Sequence, residues 1–141
     1  MNPLIIKHEG CERVCYYDTG FVPTIGYGHT RGLTRADVGV KRITKAAAMA
    51  LLAEDLPGFE RVIQSRFPGL SLNRQIALTS FIFNLGEGAL DGRRTKIAKH
   101  ILNSDWQSAA AGMLYFINDN GVVLNGLITR RCEEASYLIK G

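Results

Sequence analysis

Strand-favouring residues are gathered in one short stretch near the N-terminus, and that concentration constrains the fold more than any other feature. Val14-Cys15-Tyr16-Tyr17, the turn Asp18-Thr19-Gly20, and Phe21 to Tyr27 read as a β-hairpin or a small sheet of short strands. Pro23 brings no N–H to a ladder, which places its strand at a sheet edge. Gly26-Tyr27-Gly28-His29 then supplies two glycines where the backbone must turn or be closely approached. Two short strands cannot bury a core of their own, so the hairpin must lean on helices.

Helical signals surround it. Asn2-Pro3 reads as an N-cap followed by proline at the first helical position, opening a short helix that Gly10 can end. Glu9 then falls in the last turn, where the helix dipole disfavours a carboxylate. After residue 34 the pattern is helical. Thr44 caps a run that stops or kinks at Pro57 and resumes toward Phe67. A strongly apolar helix is expected from about Leu72 to Leu85, ending at Gly86, with a loop over 86–92. Shorter helices near 95–102 and 105–116 follow, then a turn at Asn118-Asp119-Asn120-Gly121. The last helix, about Asn125 to Ile139, is expected to pack through Leu127, Cys132, Ala135, Leu138 and Ile139.

One small sheet followed by a helical body is an α+β pattern, not a βαβ alternation. No linker or internal repeat divides the chain. The 141 residues are expected to form a single domain, with a small lobe over about 10–45. The helical lobe spans about 46–141 plus the N-terminal helix, and a cleft is expected between the lobes.

Composition narrows the function classes. With 46% hydrophobic and 21% charged residues the chain is an ordinary globule and not a disordered one. No apolar run approaches the roughly 20 residues of a membrane span. The apolar N-terminal stretch is broken by Lys7, His8 and Glu9, so no secretory signal is read there. Cys11, Cys15 and Cys132 form an odd set that reads as reduced, partly buried thiols, with a Cys11–Cys15 or Cys11–Cys132 disulfide as the lesser alternative. The net charge of +4 favours an anionic partner: nucleic acid, anionic lipid or an acidic wall polymer. The positive charges are scattered, with no basic arm of the kind that binds nucleic acid. His8, His29 and His100 have no zinc-ligand spacing, and Gly26-Tyr27-Gly28 lacks the third glycine and the lysine of a phosphate loop. No serine sits in a nucleophile elbow. Neither metal nor cofactor is expected.

The chemistry-bearing residues concentrate in 9–29. Reversal of the chain at Asp18-Thr19-Gly20 brings Thr24 back toward Asp18 and can bring both near Glu9. Two carboxylates across a cleft are what glycoside hydrolysis needs, one protonated and one ionised. A hydroxyl beside the second could hold a water in line. Solvated surface carboxylates and an ordinary turn are the alternative reading of the same residues. Asp55 interrupts an apolar helical stripe of Ala48, Leu51, Leu52, Phe59, Val62 and Ile63, so it needs a partner, and His29 is the candidate for a structural ion pair. Asn84, ending the Phe81–Leu85 stretch before Gly86, is placed either in core helix or facing the cleft.

His8-Glu9-Gly10, Tyr17-Asp18-Thr19-Gly20 and Val22-Pro23-Thr24-Ile25-Gly26-Tyr27-Gly28-His29-Thr30 resemble the signature of phage-type, T4-like lysozymes, the endolysins of glycoside hydrolase family 24. Phe83-Asn84-Leu85-Gly86 is similar to that family's helix-ending cleft motif. Leu124-Asn125-Gly126-Leu127-Ile128-Thr129-Arg130-Arg131, with Glu134, resembles the closing segment of its C-terminal helix. The resemblance implies a lysozyme-like α+β fold and cleavage of the β-1,4 bond between N-acetylmuramic acid and N-acetylglucosamine in bacterial peptidoglycan. It implies Glu9 as general acid, Asp18 as the ionised carboxylate that orients water, and Thr24 as the residue positioning that water. It further implies Gly28, Phe83 and Asn84 as substrate-binding residues, and an arginine, Arg130 or Arg131, reaching Glu9. Relatives invert at the anomeric carbon, which calls for carboxyl groups about 6.5–9.5 Å apart. The implied partners are peptidoglycan and, without an N-terminal membrane segment, a holin that releases a monomeric enzyme from the host cytoplasm to the wall. Loops over 31–43 and 86–94 are expected to be trimmed. Two other classes stay open at this point: an inactive wall-binding module on the same fold, and a basic nucleic-acid-binding protein.

Overall fold

The structure, a computed structural model, describes residues 1–141. The chain forms two compact units, one of Met1 and residues 5–57, the other of residues 2–4 and 58–141. In chain order the elements are α1 (Pro3–Glu9), β1 (Glu12–Tyr17), β2 (Pro23–Gly26), α2 (Lys45–Arg66), α3 (Leu72–Leu85), α4 (Ile97–Leu102), α5 (Trp106–Met113), β3 (Asn118–Asp119), β4 (Val122–Val123) and α6 (Asn125–Lys140). Short 3-10 turns lie at Arg35–Asp37 and Glu87–Leu90. This is the expected α+β order of a small hairpin and mainly helical elements. No helix is long and apolar enough to cross a membrane.

Local chemistry sets the helix starts. Asn2 Oδ1 accepts the Leu4 N–H at 3.1 Å, Thr44 Oγ1 that of Ala47 at 3.1 Å, and Asp105 Oδ1 that of Ser108 at 3.2 Å. Each satisfies a donor with no partner inside its own helix.

The first unit is organised around β1. β2 pairs antiparallel with it in the register Tyr16 to Thr24 and Tyr17 to Pro23. The other edge of β1 is also occupied: Gly39 donates to the Cys15 carbonyl at 2.8 Å, Cys15 to Lys41 at 2.9 Å, and Ile43 to Arg13 at 2.9 Å. The helical reading of the chain just past residue 34 is therefore corrected. Between residue 34 and Lys45 only the Arg35–Asp37 turn is helical, and 39–43 lies along β1 because that edge offers unpaired backbone groups. Ile25, Tyr27, Ala48, Leu52 and Leu56 are buried in this unit. α2 runs unbroken through Pro57.

The second unit is a helical core built on α3. Leu78, Phe81 and Ile82 of α3, Leu90, Ile97, Met113 and Leu138 form one buried cluster. On α6 the expected apolar face is only partly realised. Ala135 and Leu138 are buried, but Cys132 and Ile139 are exposed, and Arg130, Arg131 and Glu134 are buried in their place. Cys11, Cys15 and Cys132 form no disulfide, and only Cys15 is buried.

Candidate active site

Glu9 is the last residue of α1 and is half-buried. Gly10, at φ +66°, then turns the chain into β1. The turn that returns it as β2 is built by Asp18. Its Oδ1 accepts the N–H groups of Gly20 at 2.8 Å and Val22 at 2.9 Å, while its own N–H donates to the Val22 carbonyl at 3.0 Å. One carboxylate oxygen is thus spent on holding the turn, and Oδ2 is left without a protein partner. Fixed this way, the carboxylate has a defined direction before any substrate arrives.

Thr24 lies in β2 with only 3% of its surface exposed. Its hydroxyl donates to the Val22 carbonyl at 2.8 Å, which commits the proton and leaves the oxygen lone pairs as acceptors. Directly across from it in β1 stands Tyr16. Burial pushes the Tyr16 phenol up, and the negative charges of Glu12, Glu9 and Asp18 push it further. One side chain thus senses Glu9 and Asp18 together while facing Thr24 across the ladder. Tyr16 was not among the candidates read from the sequence. The signal for it was the period-two alternation of a strand, which sets Tyr16 and Thr24 on one face.

Gly26, the last residue of β2, and Gly28 just beyond it aim His29. Ile25 and His29 exchange backbone hydrogen bonds at 2.9 Å each way, with Gly26 at φ +66° and Gly28 at φ +76°. A Cβ on Gly26 would also meet Ala48 Cβ at 3.3 Å. Held there, His29 Nδ1 sits 2.7 Å from Asp55 Oδ2 and Nε2 sits 2.8 Å from the Arg31 carbonyl. Arg31 reaches the other Asp55 oxygen at 3.3 Å. Both oxygens of this carboxylate are occupied, so it holds structure and does not present a free group for chemistry.

Two further candidates lie in the second unit. The Phe83 ring packs on Phe59 with centroids 5.0 Å apart. Asn84 Oδ1 accepts from Arg131, leaving its amide nitrogen without a protein partner. Arg131 also donates to Glu134 and, at 2.9 Å, to the Phe116 carbonyl, and lies over the Phe81 ring at 5.0 Å. Arg130 and the Ser80 hydroxyl share the remaining capacity of Glu134, at 3.1 Å and 2.6 Å. No group of three or more His, Cys, Asp or Glu residues could hold a metal ion.

A family model described as phage lysozyme matches residues 6–134. This chain belongs to the phage lysozyme family. It is accordingly a glycosidase of the lysozyme kind. The endolysin of Salmonella phage P22 is 36% identical to it, over 77% of this chain and 75% of the relative. The active form of the P1 phage endolysin Lyz superposes with a TM-score of 0.79 at 32% identity, covering 98% of this chain and 82% of the other. The muramidase domain of SpmX from Asticaccaulis excentricus gives a TM-score of 0.83 at 30% identity, covering 96% and 92%. The match extends over nearly the whole lysozyme chain, including the last four residues of α1, the hairpin and most of α6.

Proposed function

We propose that this lysozyme cleaves the β-1,4 bond between N-acetylmuramic acid and N-acetylglucosamine in bacterial peptidoglycan, with inversion at the anomeric carbon. The observation that carries the reading is the division of labour within one turn: Asp18 Oδ1 is tied to backbone while Oδ2 is free, and Thr24 beside it has only lone pairs to offer. A water giving one proton toward Asp18 Oδ2 and the other toward Thr24 Oγ1 is left with its own lone pairs to attack the anomeric carbon. Glu9 delivers its proton to the oxygen of the departing sugar as the bond to that oxygen breaks. Asp18 takes the proton that the attacking water loses. At the end Glu9 is ionised and Asp18 protonated, and exchange with solvent resets both. The positive charge that grows on the sugar in the transition state is stabilised by the Asp18 carboxylate.

The decisive experiment compares wild type with Glu9→Gln on purified peptidoglycan, reading new reducing ends and the anomeric form of the first product. Loss of about 10² to 10⁴ in rate for Glu9→Gln, with the α-anomer released first, is the expected result. A β-anomer first product, or a 1,6-anhydro sugar end, would replace the water-inversion mechanism with another.

A further inference from the structure

Tyr16 and Thr24 are directly opposed across the β1–β2 ladder, as are Tyr17 and Pro23. Opposed residues of an antiparallel pair emerge on the same face with Cβ atoms about 4.5–5.5 Å apart. Tyr16 and Thr24 therefore share one face of the ribbon, and Tyr17 and Pro23 share the other. Exposure separates the two members of the pair: Thr24 is 3% exposed and Tyr16 37%. On that shared face the smaller side chain is buried and the larger one is partly exposed. The turn that fixes Asp18 begins two residues beyond Tyr16, and burial first, then the nearby carboxylates Glu12, Glu9 and Asp18, push the Tyr16 phenol up.

We infer that Tyr16 is a positioning residue for the hydrolytic water, its ring walling the face on which Thr24 Oγ1 and Asp18 Oδ2 accept the water's two protons. The inference rests on the muramidase reading of Glu9, Asp18 and Thr24. A water between two acceptors is free to rock about the line joining them, and a misplacement of about 1 Å is enough to lower a rate 10²-fold. A flat apolar ring across from Thr24 removes the alternative positions without competing for the water's protons. It also keeps bulk water from solvating Thr24. The ring carries the role, so the hydroxyl can be removed without losing it.

The test measures kcat and KM on soluble, uncross-linked peptidoglycan fragments for Tyr16→Thr, Tyr16→Val and Tyr16→Phe, with Glu9→Gln as reference. The β-branched replacements keep a strand-favouring residue at the position, and Tm is recorded for each. The expected pattern is a kcat lowered about 10- to 100-fold in Tyr16→Thr and Tyr16→Val, with KM within a factor of about two, while Tyr16→Phe stays within about threefold of wild type in both. Wild-type kcat in Tyr16→Thr or Tyr16→Val, beside an inactive Glu9→Gln, overturns the inference and leaves the muramidase reading standing. Equal loss in Tyr16→Phe also overturns it, because the hydroxyl would then be the group at work. An active Glu9→Gln removes the mechanism on which both depend.

Discussion

Phe21 shows at the residue scale how this turn is held. The Phe21 N–H donates to the Asp18 carbonyl at 3.0 Å, and the residue sits at φ +58° with 81% of its surface exposed. That is the left-handed position of a short hairpin loop, where glycine fits without penalty and a branched or aromatic side chain does not. The ring recovers little by packing, since its one aromatic neighbour, Tyr17, is 6.4 Å away edge-on. Phe21→Gly is expected to raise stability by about 1 kcal/mol, less than the full strain because glycine gains freedom in the unfolded chain, and a Tm that falls would refute the strain argument. Residue chemistry was legible in the sequence where a side chain acts on its own neighbourhood. Asp18-Thr19-Gly20 announces a turn, and a carboxylate at position 55 inside an apolar stripe announces a partner. It was not legible on α6. There the inward positions Arg131, Glu134, Ala135 and Leu138 keep helical spacing, but two of them are charged, and hydropathy cannot see that Ser80, Asn84 and the Phe116 carbonyl will be waiting for them.

Among elements, the segment before α2 is the least regular and the most dependent on one carboxylate. Asp37 Oδ2 accepts the Thr34 N–H at 2.7 Å and the Thr34 hydroxyl at 3.1 Å, while the Asp37 carbonyl accepts the N–H groups of Val40 and Lys41 at 3.0 and 2.9 Å. This knot delivers residues 39–43 to the edge of β1. The Thr34 N–H above all, helped by the Thr34 hydroxyl and the Lys41 charge, holds the Asp37 carboxyl below the usual aspartate range. A carboxyl whose folded pKa is lowered adds stability that is complete above the ordinary aspartate value and is lost as pH falls through the lowered one. Hydrogen exchange at the amides of Val40 and Lys41 should therefore accelerate in that acid window, while the amides pairing β1 with β2 hold. Asp37→Asn should bring the same exchange on at neutral pH. Uniform protection across both groups of amides would show that Asp37 does not govern the segment. The sequence marked α3 and the hairpin because their periodicities are long or bounded by turns. It misread 35–43 because a single 3-10 turn and a one-residue bridge to Val14 have no period to detect, and their order comes from an edge of β1 that lies far back in the chain.

Charge is the property that belongs to the molecule as a whole, and its placement matters more than its total. The net charge is +4, and residues 93–100 hold Arg93, Arg94, Lys96 and Lys99 with no carboxylate among them. Arg93 is answered by Asp91 at 3.6 Å and His100 by Asp105 at 3.8 Å, whereas Arg94, Lys96 and Lys99 have no acidic partner within ion-pair distance. Arg94 and Lys96, with His100 and the exposed Tyr115, line a hollow of about 350 Å³ on the helical unit. An unanswered cluster of this kind attracts an anionic polymer over roughly a Debye length, about 10 Å at 0.1 M salt, and the attraction shortens as salt rises. Sedimentation with isolated peptidoglycan sacculi should thus weaken several-fold between low and physiological salt. In Arg94→Gln/Lys96→Gln it should begin weaker and change less with salt, with Tm unmoved because neither side chain is buried or bonded to the core. The same salt slope in wild type and double variant would place the electrostatic attraction elsewhere on the surface, and the even scatter of the remaining lysines and arginines, already apparent in the sequence, would then be its source.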